Sequence, residues 1–586
     1  MIILGISCYY HDSSAALIKD GILIAAAQEE RFLRKKHYFG FPYQSIAYCL
    51  HEAGISIGDV DYIGFYEKPV LKFERMMHQH LEMFPRSFKA FVNALPSWIN
   101  EKLRVMSILR RKLKYKKDVL FVEHHMAHAA SSYLVSPFSE AAVLTMDGVG
   151  EWSTTTYGYA KGNEIELQKH IVFPHSLGLL YSTITAYLGF SVNNSEYKVM
   201  GLSAYGEMDK EKNEFYSLFK KLVDIKDDGS YRLDMSYFAY HYKDRMPSKK
   251  LCDLFGGPVT PRGAEVTKRH QDIAAALQIV TEEVIFKMLN FLYKETGCDN
   301  VVLGGGVALN SVANGKILKN TPFKNIWIQP DAGDGGASIG AAYYIYNTIL
   351  GNERNYVLKS PYLGPWYSSG AIQNFLDSNN IKYTEFNHEE DLIKQTAKLI
   401  WENNVVGWFW GRMEWGPRAL GARSILSNPC NRNMQAILNQ KVKHREKFRP
   451  FAPVVCTQDA SLYFECDSPL PESADYMLMV YPVRQEYRER IPAVTHVDGS
   501  GRLQTIRREQ NPLYYDLIKE FGKLSGIPII INTSFNIRGE PIVCTPSDAY
   551  RCMMGTGIDC LVMDRFLIKG EDNPQDVWDS EKYAND

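Results

Sequence analysis

"IILGISCYYHDSSAALIKDGILIAAAQEE", residues 2–30, is the stretch on which the reading of the fold turns. It holds three apolar, β-prone runs. A polar loop around His11 and Asp12 separates the first two, and Asp20-Gly21, a dipeptide suited to a hairpin turn with positive φ, separates the second and third. A helical stretch follows at 42–54 ("PYQSIAYCLHEAG") and a strand-like run at 61–66 ("DYIGFY"). Residues 141–172, "AAVLTMDGVGEWSTTTYGYAKGNEIELQKHIV", repeat the plan: an apolar strand, a small or acidic loop, then two strands joined by "AKGNE". Such self-similarity marks an internal duplication.

Two halves that each open with a strand, a phosphate-sized loop and a hairpin follow the plan of the actin, hexokinase and heat-shock ATPase superfamily. In that plan the nucleotide sits between the halves, where the two loops converge. The expected fold class is therefore α/β. The second half continues with "VVLGGGVALNSVANGKIL" at 301–318, a strand that ends in Gly304, Gly305 and Gly306 and runs into a helix with Asn310 near its start. Glycines there allow close approach of a ligand, and a helix N-terminus favours anions, although tight turns use the same residues. "QPDAGDGGASIGAA" at 329–342 then places Asp331 and Asp334 in a glycine-rich loop. Pro361, Gly364 and Pro365 break regular structure near residue 360, where a domain boundary is expected, giving domains 1–358 and 359–586.

The totals fit a multidomain enzyme. The chain has 586 residues, too many for one core, with 66 Lys and Arg against 67 Asp and Glu. A formal charge of -1 argues against bulk salt-driven binding to nucleic acid or an anionic membrane. One basic run, "LRRKLKYKKD" at 109–118, reads as a solvated helix face, with phosphate contact as its alternative. The ten cysteines are scattered singly, which fits reduced thiols in the cytoplasm. The N-terminus lacks the pattern of a signal peptide or membrane span.

His124 and His128, in "VEHHMAHAA" at 122–130, lie four residues apart and share one face if that stretch is helical. Such a pair is either hydrogen-bonded structure or part of a metal site. His125 projects about 100° away around the helix and does not belong to the pair. Beyond the boundary, "GRMEWGPRALGARSIL" at 411–426 interleaves Arg412, Arg418 and Arg423 with glycines. "KVKHREKFRPFAP" at 441–453 adds Lys443, Arg445 and Arg449, and "HVDGSGRLQT" at 496–505 adds Arg502. Cations fixed among Gly, Pro and Phe suggest a pocket for a polyanion. "GIPIIINTSFNIRGEPIV" at 526–543 puts Asn532, Thr533, Ser534 and Asn536 at the end of a β-prone run, a favoured place for ligand groups.

Taken together, "HDSSAAL", "EERFLRKKH", "HHMAHAASSY", "MDGVGE", "YKVMGLSAYG", "GGGVALN", "DAGDGGASIGAA", "GRMEWGPRALGARSI", "KVKHREKFRPFAP" and "INTSFNIRGEPI" resemble the O-carbamoyltransferases typified by the nodulation-factor, cephamycin and tobramycin enzymes. The resemblance runs nearly end to end. It implies an N-terminal domain similar to the threonylcarbamoyl-transferring proteins of tRNA modification and a YrdC-like C-terminal domain. By that resemblance the C-terminal domain converts carbamoyl phosphate and ATP to carbamoyl-adenylate and pyrophosphate, using Arg418, Lys443, Arg449, Arg502, Ser534 and Asn536. The N-terminal domain then transfers the carbamoyl group to an acceptor hydroxyl and releases AMP.

The resemblance also makes His124, His128, Asp147 and Asp334 ligands of a divalent metal. It points to Fe(II), while the donor types equally suit Zn(II) or Mn(II), and Mg would accompany ATP. Gly148, Gly304, Gly305, Gly306 and Asn310 would hold the nucleoside. His11, as general base or carbonyl donor, would act with Asp12 and Lys36. The implied partner is a small hydroxylated acceptor (a sugar, aminoglycoside-like compound, polyketide or alkaloid), with no nucleic acid and no membrane, in a monomer or homodimer. The alternatives weighed are threonylcarbamoyl transfer to tRNA, a small-molecule kinase of the actin and hexokinase superfamily, and a non-catalytic nucleotide-binding module.

Overall fold

A computed structural model describes residues 1–446 and 448–573. The chain divides into two compact units, and the division falls between Leu358 and Lys359. The first unit is Met1–Ala26 with His37–Leu358, and residues Ala27–Lys36 group with the second. The expected boundaries 1–358 and 359–586 contain no such excursion. Residue 447 and residues 574–586 of the expected second domain lie outside the described residues.

The excursion has a local cause. Arg31 is buried and donates to the Gly416 carbonyl, and Arg34 donates to the carbonyls of Pro541 and Ile542. These guanidiniums satisfy backbone oxygens that belong to the second unit's loops, so the segment is fixed there by hydrogen bonds to charged donors.

The first unit contains the duplication as two five-stranded sheets of one topology. In the first, β1 (Ile2–Ser7), β2 (Ser14–Lys19), β3 (Ile22–Gln28), β4 (Tyr62–Phe65) and β5 (Asp118–Phe121) are ordered β3-β2-β1-β4-β5. After a small ribbon of β9 (Val223–Ile225) and β10 (Tyr231–Leu233), the second is completed. It joins β6 (Glu140–Met146), β7 (Ser153–Lys161), β8 (Glu164–Val172), β11 (Asn300–Gly304) and β12 (Asn325–Ile328) in the order β12-β11-β6-β7-β8. In both, the opening strand pairs antiparallel with the next and parallel with the fourth, which pairs parallel with the fifth. One strand order is thus written twice, as the internal duplication predicts. The Asp20-Gly21 turn has φ of 50° and 79° at its two residues, the left-handed pair that a two-residue hairpin requires.

Equivalent helices, His124–Tyr133 after β5 and Ala337–Tyr343 after β12, pack against each other. Their sequences are rich in Ala, Ser and Gly for a steric reason. A Cβ on Gly340 would lie 1.8 Å from the Ala127 carbonyl oxygen, and one on Gly5 would lie 1.9 Å from that of Ser338. Small residues let these backbones touch, and the ends of the strands converge as a result.

The second unit is built on a nine-stranded mixed sheet, so the chain is α/β throughout. Its strands are β13 (Thr384–Glu385), β14 (Val406–Phe409), β15 (Arg423–Ser427), β16 (Ala452–Cys456), β17 (Met479–Pro482), β18 (Ser500–Ile506), β19 (Ile529–Ser534), β20 (Cys560–Met563) and β21 (Phe566–Lys569). They are ordered β13-β21-β20-β14-β15-β19-β16-β18-β17. The helices Glu389–Trp401 and Pro512–Ser525 bury Leu392, Ile400, Leu517 and Phe521 against Trp408, Val454 and Ile530 of the sheet. Among the described residues no helix is long and apolar enough to cross a membrane.

Candidate functional site

The duplicated plan delivers four side chains to one place. His124 and His128 lie on the helix after β5, Asp147 in the loop after β6, and Asp334 in the loop after β12. All four are buried, and their candidate donor atoms lie within 4.8 Å of one another. The His124 Nε2 stands 3.0 Å from Asp147 Oδ2, 3.1 Å from His128 Nε2 and 3.6 Å from Asp334 Oδ1. His128 Nε2 stands 3.4 Å from that same Asp334 oxygen. His125 turns away, to Thr145 Oγ1 at 2.7 Å and the Ser153 carbonyl at 2.9 Å.

The backbone around the cluster is arranged to hold it. Glu151 accepts the His124 N–H at 3.0 Å and the Lys68 N–H at 2.7 Å, placing a carboxylate at the N-terminus of the histidine helix. Gly306 donates its N–H to Asp147 Oδ1 at 2.9 Å, which leaves the other oxygen for the imidazoles. Gly305 has φ of 88°, and a Cβ there would lie 2.2 Å from the Met146 carbonyl oxygen. The triple glycine thus aims a carboxylate through its backbone. Gly304 packs on the His128 carbonyl. Gly148 accepts Ser176 Oγ on its carbonyl at 2.7 Å. Asn310 caps the short helix Ser311–Asn314 and exchanges amide hydrogen bonds with Gln278, so its polar atoms serve the fold in this state.

The cluster fits a divalent cation on its own chemistry. Neither Asp334 oxygen accepts a hydrogen bond of regular geometry, and the Nδ1 atoms of His124 and His128 have no partner among the described residues. Buried carboxylates without donors are costly, and two imidazole nitrogens facing each other at 3.1 Å crowd their lone pairs or share one proton. A cation relieves both conditions. Two imidazoles and two carboxylates without thiolate suit Fe(II), Zn(II) or Mn(II).

His11 and Asp12 sit in the loop between β1 and β2, the counterpart of the Asp147 loop. Asp12 joins two histidines, accepting at Oδ2 from His11 Nδ1 and at Oδ1 from His37 Nδ1, each at 2.9 Å. His11 Nε2 faces Asp334 Oδ2 at 3.6 Å. Burial works to lower the His11 pKa, but Asp334 and then Asp12 outweigh it and push it up to about 10. Two groups that sequence reasoning missed lie close by. Tyr66 meets the His124 ring edge-on at 5.5 Å, and Lys72, ion-paired with Glu67 at 2.5 Å, lies over the Tyr10 ring. Lys36 falls in the second unit, where its charge bears on Lys443.

In the second unit the structure gathers Lys443, Ser534 and Asn536. The Lys443 ammonium donates to the Ser534 carbonyl, to the Asn536 carbonyl at 2.9 Å and to Asn536 Oδ1 at 3.1 Å. Burial first, then the Arg445 and Arg449 charges, hold its pKa well below the ordinary lysine range. A lysine held among dipoles with cations nearby is matched to an anionic ligand. Arg449 lies 3.6 Å from Glu446. Arg418 and Arg502 are half-buried, on the loop between β14 and β15 and on β18.

The other two arginines of the glycine-rich loop are structural. Arg423 is fully buried, donates to the carbonyls of Trp410, Gly411 and Pro365, and stacks on Phe409. Arg412 donates to the Leu363 and Gly364 carbonyls. The loop itself is shaped by Glu414, whose Oε1 accepts the N–H groups of Leu420, Ala422 and Arg423 at 2.7–2.9 Å.

The fold and these clusters define a two-unit α/β class: a duplicated body with a buried cluster of two histidines and two aspartates whose chemistry fits a divalent cation, and a mixed-sheet unit with a buried lysine in a loop cluster. The chain belongs to the carbamoyltransferase family and is an enzyme that transfers carbamoyl groups: the "Carbamoyltransferase N-terminus" family model matches residues 2–343 and "Carbamoyltransferase C-terminus" matches 397–570. It is 48% identical to an uncharacterized protein of Synechocystis sp., over 98% of this chain and 97% of that one. It is 35% identical to nodulation protein NolNO of Sinorhizobium fredii (97% of this chain, 80% of that one). An uncharacterized protein of Methanocaldococcus jannaschii is 31% identical (97% of this chain, 99% of that one).

Proposed function

We propose that the protein is a cytoplasmic, ATP-dependent O-carbamoyltransferase that works in two half-reactions, one in each unit. The observation that carries this reading is that a carbamoyltransferase chain holds two separate buried clusters of different chemistry. The cation-suited one lies in the first unit, and the lysine-centred one lies in the second.

In the second unit, water opens carbamoyl phosphate to carbamate and inorganic phosphate. A carbamate oxygen then bonds to the α-phosphorus of ATP as the bond to pyrophosphate breaks. In this reading Lys443 and Arg449 bind phosphoryl oxygens and offset the charge that develops on them, with Arg418 and Arg502 as further cations. Ser534 and Asn536 orient Lys443 through the hydrogen bonds described.

In the first unit, the acceptor hydroxyl attacks the carbamoyl carbon, and the bond to the adenylate phosphate breaks to release AMP. His11, held protonated by Asp334 and Asp12, donates from Nε2 to the carbamoyl carbonyl oxygen as charge develops there, and the hydroxyl proton leaves on the AMP phosphate. A divalent cation held by His124, His128, Asp147 and Asp334 would supply Lewis-acid neutralisation of phosphoryl charge, and iron is our choice of metal. The acceptor we propose is a small hydroxylated metabolite or saccharide of a biosynthetic route.

Following the reaction by phosphorus NMR tests this reading. Enzyme supplied with ATP and carbamoyl phosphate is expected to release pyrophosphate and AMP. Accumulation of ADP with a phosphorylated acceptor would instead favour the kinase reading.

A further inference from the structure

Between β4 and β5 the first half carries a helical insertion: Pro69–Glu82, Phe88–Asn100 and Val105–Leu113. The equivalent connection in the second half, from β11 to β12, has only the short helices Ser311–Asn314 and Ile317–Asn320 and a 3-10 turn. The insertion differs from the rest of the chain in charge. Residues 69–117 contain twelve Lys and Arg and three Asp and Glu, an excess of nine positive charges in a chain whose formal net charge is -1. The whole-chain value that argues against an anionic membrane averages this lobe with an acidic remainder.

The lobe is also unusually apolar on its outside. Of the 21 exposed large hydrophobic residues among those described, eight fall in it. Phe88, Val92 and Ile99 follow helical spacing on one face and are 59%, 48% and 51% exposed. Phe84, 68% exposed, extends that face and meets Phe88 edge-on at 6.5 Å. Exposed Arg86 and Lys89 flank the two phenylalanines, and Arg110 and Arg111 are exposed on the third helix. The inner side of the first helix is different: it buries Lys72, Arg75 and Met76.

We infer that this lobe docks on the surface of an anionic lipid bilayer, with Phe84, Phe88, Val92 and Ile99 entering the headgroup boundary and the surrounding lysines and arginines against lipid phosphates. An amphipathic helix with aromatic and aliphatic residues on one face and basic residues beside them is the pattern that lies in an interface without spanning it. Charge selects this occupant over a second copy, because a two-fold contact through the lobe would oppose two sets of positive charge. The aliphatic part of the stripe selects it over nucleic acid, because exposed Val92 and Ile99 offer no face on which a base stacks.

The test is co-sedimentation of the full chain with vesicles, either of phosphatidylcholine alone or of equal parts phosphatidylcholine and phosphatidylglycerol. Binding to the anionic vesicles and not to the neutral ones is expected. Phe84→Ser/Phe88→Ser should weaken it at least about tenfold by removing apolar burial. Arg110→Ser/Arg111→Ser should weaken it by about thirtyfold, from the worth of two surface charges. These sites are exposed, and unchanged circular dichroism confirms that the variants fold. No preference for anionic vesicles would overturn the inference, as would full binding by the phenylalanine variant. It would also be overturned by a dimer, or a tRNA complex, that the phenylalanine variant alone disrupts.

Discussion

The His128→Ala enzyme is expected to lose carbamoyl transfer to the acceptor while still exchanging labelled pyrophosphate into ATP in the presence of carbamoyl phosphate. His128 supplies one of four buried donors to the cluster, and its Nε2 lies against both His124 and Asp334. Losing a ligand should weaken metal retention at least as much as losing an outer-shell partner does, by about a hundredfold. Elemental analysis of the purified variant should therefore show metal content falling together with transfer. The Lys443 cluster belongs to the other unit, so the exchange should persist. Loss of exchange and transfer in equal proportion would contradict the assignment of separate sites.

Lys443→Met gives the complementary result. It keeps an unbranched side chain and removes the ammonium that Ser534 and Asn536 hold. Pyrophosphate exchange should fall about a hundredfold or more, the scale of losing one fixed donor to developing charge. The metal content should not change, because no metal donor is touched. Buried lysines also serve structure, so folding is checked by circular dichroism. A folded Lys443→Met enzyme with normal exchange would remove this residue from the adenylate-forming step.

Local chemistry made the frame of the protein legible from its sequence. Each half announces itself by a strand, a polar loop and a hairpin, and Asp20-Gly21 fixes a turn whose two left-handed residues few other pairs tolerate. Helical spacing put His124 and His128 on one face, but Asp147 and Asp334 joined them only through family resemblance, since they lie 19 and 206 positions beyond His128. What escaped was side-chain chemistry whose partners are backbone groups. Glu151 holds the amide of His124, and Glu414 holds three amides of a loop, and neither leaves a pattern in residue types. The same blindness explains Arg412 and Arg423, which look like phosphate ligands in a glycine-rich loop and instead bind carbonyls. Arg31 and Arg34 carry residues 27–36 into the second unit for the same reason. Charge was misleading when summed, because nine excess positive charges in one lobe vanish in a total of -1.

Supplying the intermediate tests the division of chemistry most directly. Freshly prepared carbamoyl-adenylate, given to Lys443→Met with a hydroxylated acceptor that the wild-type enzyme carbamoylates, is expected to restore carbamoylated product and AMP at the wild-type rate. The same addition to His128→Ala should restore neither. Failure of the adenylate to rescue Lys443→Met, or equal rescue of both variants, would contradict the account.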